Sequence, residues 1–454
     1  MINYSKNLNV NNNYDVIVLG GGTTGVLAAL SAAKEGAKVL IIESQSSLGG
    51  TQTNSLVTPI MGARIPGGTA HPSLSFEINE LYQEIDNHAS DKDTSLTYFF
   101  PETMKYVYDK LCLKYGVDIS YSAHYTDVEV ENDEIKYVVV LEKKGLVAYQ
   151  AKCYIDTTGD ALVALDTKDA IPYPNPQTNV NQAVSLRFEM GYIDLEKTGK
   201  FLRENGQPHR TNYPRLSLNN WICPGVNDLI KLAISKGEFT ELDASHFQTF
   251  TIPGKPDMLC FNCPELNANI DVVDHNFQSK MMSKGYEAVF RMANFMRKYI
   301  PGFENAIVTN IATMLGVRQS SKLEGVYTLT TEDVFGYKKF DDGIAASNYP
   351  VDVHGFSIKE RTYADVPQEE RYYEIPFRSL VPAKTKNLLV AGRSASFDFL
   401  AQSSARVQHT CRAMGEAVGI GAALMVKNNI TCQEIDGVKV RSIMLERGMD
   451  VPKR

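Results

Sequence analysis

Gly20, Gly22 and Gly25 stand at G-x-G-x-x-G spacing, and Glu43 follows 23 positions after the first of them. Small residues at those three places permit a tight turn, a pyrophosphate against bare backbone, and close packing of a helix on a strand. A helix starting there offers unpaired N–H groups and the positive end of its dipole to phosphates. A carboxylate at the end of the next strand accepts ribose hydroxyls and repels a 2′-phosphate. The pattern reads as a dinucleotide site and leaves FAD and NAD both open.

Proton-handling candidates lie far downstream. The stretch YPVDVHGF (349–356) sets Asp352 and His354 two apart, which on a strand is one face. They read as an oriented acid–base pair, or as a histidine hydrogen-bonded within a loop. His409 is a second acid–base candidate near a helix start. The C-x-x-C of Cys260 and Cys263 reads foremost as two ordinary thiols in an inserted domain, or else as a redox pair, since no second such pair or histidine cluster completes a metal set. No metal is expected.

The elements that must hold these residues follow from periodicity. DVIVL (15–19) is a continuous apolar run ending in glycines, the mark of a strand buried on both faces. A helix over 24–35 stops at Gly36, and KVLIIE (38–43) is the next buried strand. Together they form a βαβ unit. Helices are predicted near 74–88 and 101–115, then antiparallel strands turning at NDEI and KKGL, then a buried strand in AKCYIDTTGD. From about 166 to 300 proline, asparagine and aromatic residues increase and the βα alternation stops, with one helix over 279–299. KNLLVAGRSAS (386–396) restores the first style, and a helix over roughly 402–427 follows. The first domain is therefore expected to be discontinuous, with a second inserted in it.

Composition narrows the function classes. The 454 residues suggest two or three domains. A net charge of −7 disfavours a nucleic-acid partner. Seven scattered cysteines argue against a disulfide scaffold and for a reducing cytoplasm. No apolar run reaches the length of a membrane span, and MINYSKNLNVNNN lacks a secretory apolar region, reading as a mobile arm.

Four stretches carry a family resemblance: the glycine loop through Glu43 with LGGT (48–51), YIDTTGDA (154–161), GVRQSSKLEGVYTLTTEDV (316–334), and YEIPFRSLVPAKTKNLLVAGRSAS with SSARVQHTCRAMGEAVGIGAA (373–423). In order and spacing the chain resembles bacterial FAD-dependent oxidoreductases of the glutathione-reductase-like superfamily, related to fumarate reductase flavoproteins. The resemblance implies an α/β fold: a Rossmann-like FAD-binding domain with an inserted α+β substrate domain. The divisions are a 1–13 arm, FAD domain parts 14–165 and 376–432, an insert over 166–375, and a helical tail over 433–454.

Roles follow by position. Gly20, Gly22 and Gly25 would hold the pyrophosphate and Glu43 the ribose, with Gly49, Gly50 and Thr51 passing near non-covalent FAD. Val128 would lie beside the adenine; Thr158, Gly159 and Asp160 form the Thr-Gly motif; Gly392 and Arg393 would approach the phosphate and ribityl region. Ser404, Ala405, Arg406 and Val407 would start the last helix and aim N–H groups at the flavin N1/O2 edge. Related chains often carry Ala at Thr157 and Pro at His409.

Arg318, Arg378, Arg393 and Arg406 sit in or beside these motifs and can clamp a carboxylate or stabilise reduced flavin, or else serve as interface ion pairs. The catalytic candidates are His354, His409, Arg318, Arg378 and Arg406. The expected activity is hydride transfer between a small organic substrate and flavin N5. No second G-x-G-x-x-G follows a strand, so NAD(P)H would bind without its own Rossmann unit or a separate electron carrier would serve. The competing readings are an RNA-modification partner and a thiazole-synthase-like biosynthetic flavoprotein. The oligomeric state is open.

Overall fold

A computed structural model describes residues 6–61, 65–86, 98–212, 216, 223–355 and 361–451. Its central sheet has five parallel strands in the order Leu388–Val390, Cys153–Asp156, Val16–Leu19, Val39–Glu43 and Asp118–Tyr121. Val16–Leu19 and Val39–Glu43 are buried throughout, as a sheet covered on both faces requires. Leu19 registers with Ile42 on one side and Asp156 on the other. Gly20, Glu43 and Thr157 therefore emerge together at the carboxyl edge. The chain leaves Val16–Leu19 for the strand on one side and returns later on the other, so this edge carries the switch-point crevice of a doubly wound sheet.

Helix Thr23–Lys34 and helix Gln408–Asn428 pack against one another on this sheet. Three antiparallel strands, His124–Glu131, Glu134–Glu142 and Gly145–Tyr149, form a meander beside it. The expected turn at NDEI is real: Asn132 and Asp133 both have positive φ, 52° and 63°, as a two-residue hairpin turn demands. The arm prediction needs correction for its last residues. Val10–Asn11 pair in parallel with Ala148 and Tyr149, because the meander edge would otherwise leave backbone groups unpaired.

A second sheet runs Thr249–Ile252, Lys255–Phe261, Phe188–Gly191 and Ile307–Ile311, all antiparallel. Helix His275–Tyr299 buries Met292, Phe295 and Met296 in a core that includes Phe188 and Phe261, stacked at 4.3 Å. This separate core is narrower than the insert expected over 166–375. Leu329, Val334, Phe340, Ile344, Tyr373 and Ile375 join the first domain's core instead. The pairing of Gly343–Ser347 with Tyr373–Pro376 and its contact with the last long helix explain the difference.

The helix expected over 402–427 is two helices. Phe399–Ala405, capped by Asp398 through the Ala401 N–H at 2.9 Å, ends at Arg406. Val407 is extended, with φ −67° and ψ 156°, and Gln408 opens the long helix. No helix among the described residues is long and apolar enough to cross a membrane.

Candidate active site

The glycine loop closes on the sheet edge. A Cβ on Gly25 would meet the Gly20 carbonyl oxygen at 1.9 Å and Thr157 Oγ1 at 2.6 Å. Thr157 donates its hydroxyl to the Gly20 carbonyl at 2.7 Å, which ties the loop to the next strand. Above Gly22 the situation is opposite: a Cβ there would find only Gly50 Cα, at 3.9 Å. Gly22 caps helix Thr23–Lys34 with no side-chain hydrogen bond and no acid in the first turn. Its N–H groups face an open cradle.

Glu43 is buried and accepts the Gly21 and Gln45 N–H groups, each at 2.7 Å. Burial raises its pKa and these hydrogen bonds oppose the rise. Gly49 forms a bridge with Gly22, and its carbonyl accepts Thr23 Oγ1 at 3.1 Å. Gly50 and Thr51 follow directly. Across the crevice, Arg393 Nη2 lies 2.5 Å from Asp160 Oδ1, and the Gly159 carbonyl accepts Ser394 Oγ. Thr158 is held by buried Asp156, and Gly392 packs over Thr24. Val128 pairs with Val138 in the meander and packs against the core that includes Leu19 and Ile42. Ala123 and His124 are the residues that reach the strand end of Glu43: the Ala123 N–H donates to the Glu43 carbonyl at 3.0 Å, and the His124 charge acts on its carboxylate.

Where the two helices break, a polar cluster forms. His354 is held at both ring nitrogens, Nδ1 by Glu265 Oε1 and Nε2 by Asp352 Oδ2 at 3.1 Å. That geometry is satisfied at both ends when the ring carries two protons. Arg318 binds Glu265 Oε1 at 3.0 Å and the Ala183 carbonyl at 2.6 Å. Arg406 donates to the Asp352 carbonyl oxygen at 2.9 Å and lies 3.8 Å from its carboxylate. Gln182 accepts the His354 N–H at 3.2 Å and donates to Ser403 at 3.0 Å. Asp352 is the most open member, its side chain 38% exposed against 14% for His354.

Electrostatics sharpen the cluster. Burial pushes the Glu265 pKa up, but the His354 hydrogen bond and the Arg318 charge outweigh it and hold it at about 2. Asp352 is likewise held low against burial by His354, Arg406 and Arg318. Burial lowers Arg406 to about 10 and His246 to about 4. His246, Glu265 and His354 place donor atoms within 4.8 Å of one another, a spacing that could hold a metal ion, which the sequence did not suggest. Of the nearby charges, the Glu265 carboxylate acts most strongly on His246, with Arg318 and Arg187 opposing it, and Arg406 and Arg318 act on Asp352, so arginines offset both carboxylates of the cluster.

Three sequence expectations are revised. Ser404 and Ala405 belong to the end of the short helix, and Ser404 donates to the Tyr349 carbonyl at 2.5 Å. The free N–H groups are those after Val407. His409 is fully buried, with Nδ1 on the Met61 carbonyl at 2.9 Å, and burial lowers its pKa to about 4. It is not part of the His354 cluster. Arg378 is 45% exposed, paired with Asp342 at 3.4 Å and lying over the Tyr327 ring. Cys260 and Cys263 are buried free thiols whose pKa values burial pushes up, to about 12 for Cys260.

Residues 15–444 match the FAD dependent oxidoreductase family. The chain belongs to that family. It is also 38% identical over 72 residues to the soluble pyridine nucleotide transhydrogenase of Marinomonas sp. (strain MWYL1), covering 16% of this chain and 15% of that protein. The corresponding protein of Pseudomonas fluorescens (strain SBW25) is 36% identical over 73 residues, with the same shares. The match thus spans about 15% of these relatives' length. The p-nitrophenol 4-monooxygenase PnpA from Pseudomonas putida DLL-E4 aligns over 97% of this chain and 86% of its own, at 11% identity and a TM-score of 0.49. A geranylgeranyl bacteriochlorophyll reductase-like protein from Thermoplasma acidophilum aligns at 13% identity and 0.46, over 97% and 84%.

FAD is the cofactor of this family, and the cradle fits it. The uncapped helix start at Gly22 has room for phosphate, and Glu43 stands at the adjoining strand end. Half-buried Arg393 and Arg406 each leave a buried Nε without a hydrogen-bond partner, as donors facing a bound group would be. Glu265, His246, Gln182 and Arg187 were missed in the sequence. Glu265 follows a turn-like CFNCP and has no periodic or motif signal of its own.

Proposed function

We propose that this FAD-dependent oxidoreductase moves a hydride between FAD and a small organic anion held at the His354 cluster. One observation carries the reading: a histidine clasped by two carboxylates stands between two arginines, beside the start of the last long helix. Gly20, Gly22, Gly25, Gly49, Gly50 and Arg393 would hold the cofactor's phosphates, and Glu43 its ribose. Bound FAD supplies the hydride acceptor or donor.

The chain's own residues do the rest. Arg406 and Arg318 attract and orient the substrate's charged group by charge-assisted hydrogen bonds. Arg406 retains an unpaired Nε for this. Glu265 fixes the imidazole through Nδ1 and keeps its tautomer. Nε2, whose partner Asp352 is the more open carboxylate, is the nitrogen that exchanges a proton. It delivers that proton when substrate is reduced and recovers it when product is oxidised. Helix N–H groups after Val407 favour negative charge at the flavin edge. NAD(P)H or a separate carrier closes the redox cycle without a second Rossmann unit.

The test is an absorption spectrum of the purified protein followed by an anaerobic screen of small organic acids. Substrate bleaches the flavin, or reoxidises photoreduced flavin. Protein that binds no FAD, or flavin that responds only to uncharged compounds, defeats the reading.

A further inference from the structure

Arg412 is fully buried, and it has no carboxylate partner among the described residues. Its Nη2 donates to the Tyr108 hydroxyl at 3.0 Å, while Nε and Nη1 have no hydrogen-bond partner. A guanidinium left so in an apolar interior loses its hydration without a replacement. The nearest acid along the helix, Glu416, is already engaged: it accepts Ser73 Oγ and the Leu74 N–H at 3.0 Å.

Two buried histidines lie nearby. His409 precedes Arg412 by three positions on the same helix, so both lie on one face. Its Nδ1 donates to the Met61 carbonyl and its Nε2 faces Ala346, so the neutral ring has no proton left to offer Arg412's surroundings. His71 adjoins the Pro72–Leu74 segment that meets Glu416, one turn beyond Arg412. It is 3% exposed with Nδ1 unpaired. Burial, with the nearby charges of His409 and Arg412, lowers its pKa to about 3. His71 is therefore close enough to both for their charges to act on it. The Tyr108 hydroxyl, donated to Gln52 Oε1, walls one side.

We propose that Arg412 and His71 hold one small monovalent anion in a buried site, a halide or the carboxylate of a one-carbon acid. Such an ion neutralises the guanidinium and accepts from its Nε and Nη1. His71 turns a ring N–H toward it in the tautomer that places its proton on Nδ1. The site is separate from the His354 cluster, so it stands whether or not the proposed reaction is correct.

Thermal unfolding of the FAD-loaded protein at fixed ionic strength tests it. Chloride, bromide and formate are each titrated in place of gluconate. The midpoint rises by a few degrees and saturates, because an ion that binds only the folded state adds stability by mass action. Bromide or chloride acting alone identifies a halide site; formate acting alone identifies a carboxylate site. In R412M the response disappears while the flavin spectrum is retained. Anomalous scattering from crystals soaked in bromide or iodide gives a peak at Arg412 for a halide site, a readout independent of whether R412M folds. A midpoint that ignores all three anions, as water-filled space would give, overturns the proposal. So does an undiminished response in folded R412M.

Discussion

His354 Nδ1 and Glu265 Oε1 are hydrogen-bonded across 89 residues of chain, and the same oxygen carries the Arg318 guanidinium at 3.0 Å. One carboxylate thus orients an acid–base candidate and a cation together. Removing the histidine and removing its holder should therefore have different signatures. H354N is expected to lower kcat about 10²–10³-fold, the usual contribution of a positioned acid–base group, with FAD content unchanged. E265Q keeps the shape but releases both partners. It should cost roughly 10-fold and shift the pH profile of kcat. Steady-state rates across pH with the substrate found by anaerobic screening check both. An H354N enzyme with full kcat would remove His354 from proton transfer.

Arg406 should act on binding. It is largely shielded from solvent, its pKa is lowered to about 10 by desolvation, and its Nε is unpaired. R406M is expected to raise KM for an anionic substrate about 10²-fold with a smaller change in kcat. R406K should rescue little, because an ammonium cannot reproduce the planar fork. R378M is the control: Arg378 is tied to Asp342 over an aromatic surface, so KM should be unchanged. Equal effects of R406M and R378M on KM would argue against the cluster as the anion site.

Stability should fall in two stages on acidification. His71, His246 and His409 are held neutral by burial, with pKa values of about 3, 4 and 4. Below about 6.5, where an unfolded histidine takes up its proton, only the unfolded chain gains protons. Stability is then lost as pH falls from about 6.5 toward 4. Asp352 and Glu265 are depressed carboxylates, so their contribution is complete above about 4, the unfolded value. It is lost as pH falls through their folded values, about 2 for Glu265. Thermal midpoints from pH 8 to 2 should show H409Q flattening the first stage and E265Q the second. A midpoint independent of pH between 6.5 and 4 would contradict the buried neutral histidines.

Legibility in the sequence followed the range of the forces involved. The βαβ unit was readable because an apolar run, three glycines and a terminal acid are local signals. Val16–Leu19, Thr23–Lys34 and Val39–Glu43 lie within two residues of where periodicity put them. The break at Arg406–Val407 was not readable, since the same small and apolar residues continue through it. Glu265 and His246 could not be assigned, because their partners come from tertiary contacts between the insert and the loop carrying His354. Arg378 lay in a motif segment, yet the Tyr327 and Phe340 rings under its guanidinium come from elsewhere in the chain.

The glycine loop separates folding from cofactor binding within three positions. Ala at position 25 would drive a methyl into the Gly20 carbonyl at 1.9 Å, so G25A should destabilise the sheet edge itself. Ala at position 22 meets no protein atom closer than 3.9 Å, and Gly22 has φ −71°, a backbone any residue adopts. G22A should therefore fold with a midpoint near that of the apoprotein. Its methyl instead occupies the cradle at the uncapped helix start, where phosphate would approach the backbone. FAD affinity should fall at least about 10-fold, read by flavin fluorescence titration alongside unfolding without FAD. If G22A retains full affinity, the phosphates do not sit over this helix start. If it loses the fold instead, the open space above Gly22 is not what the geometry indicates.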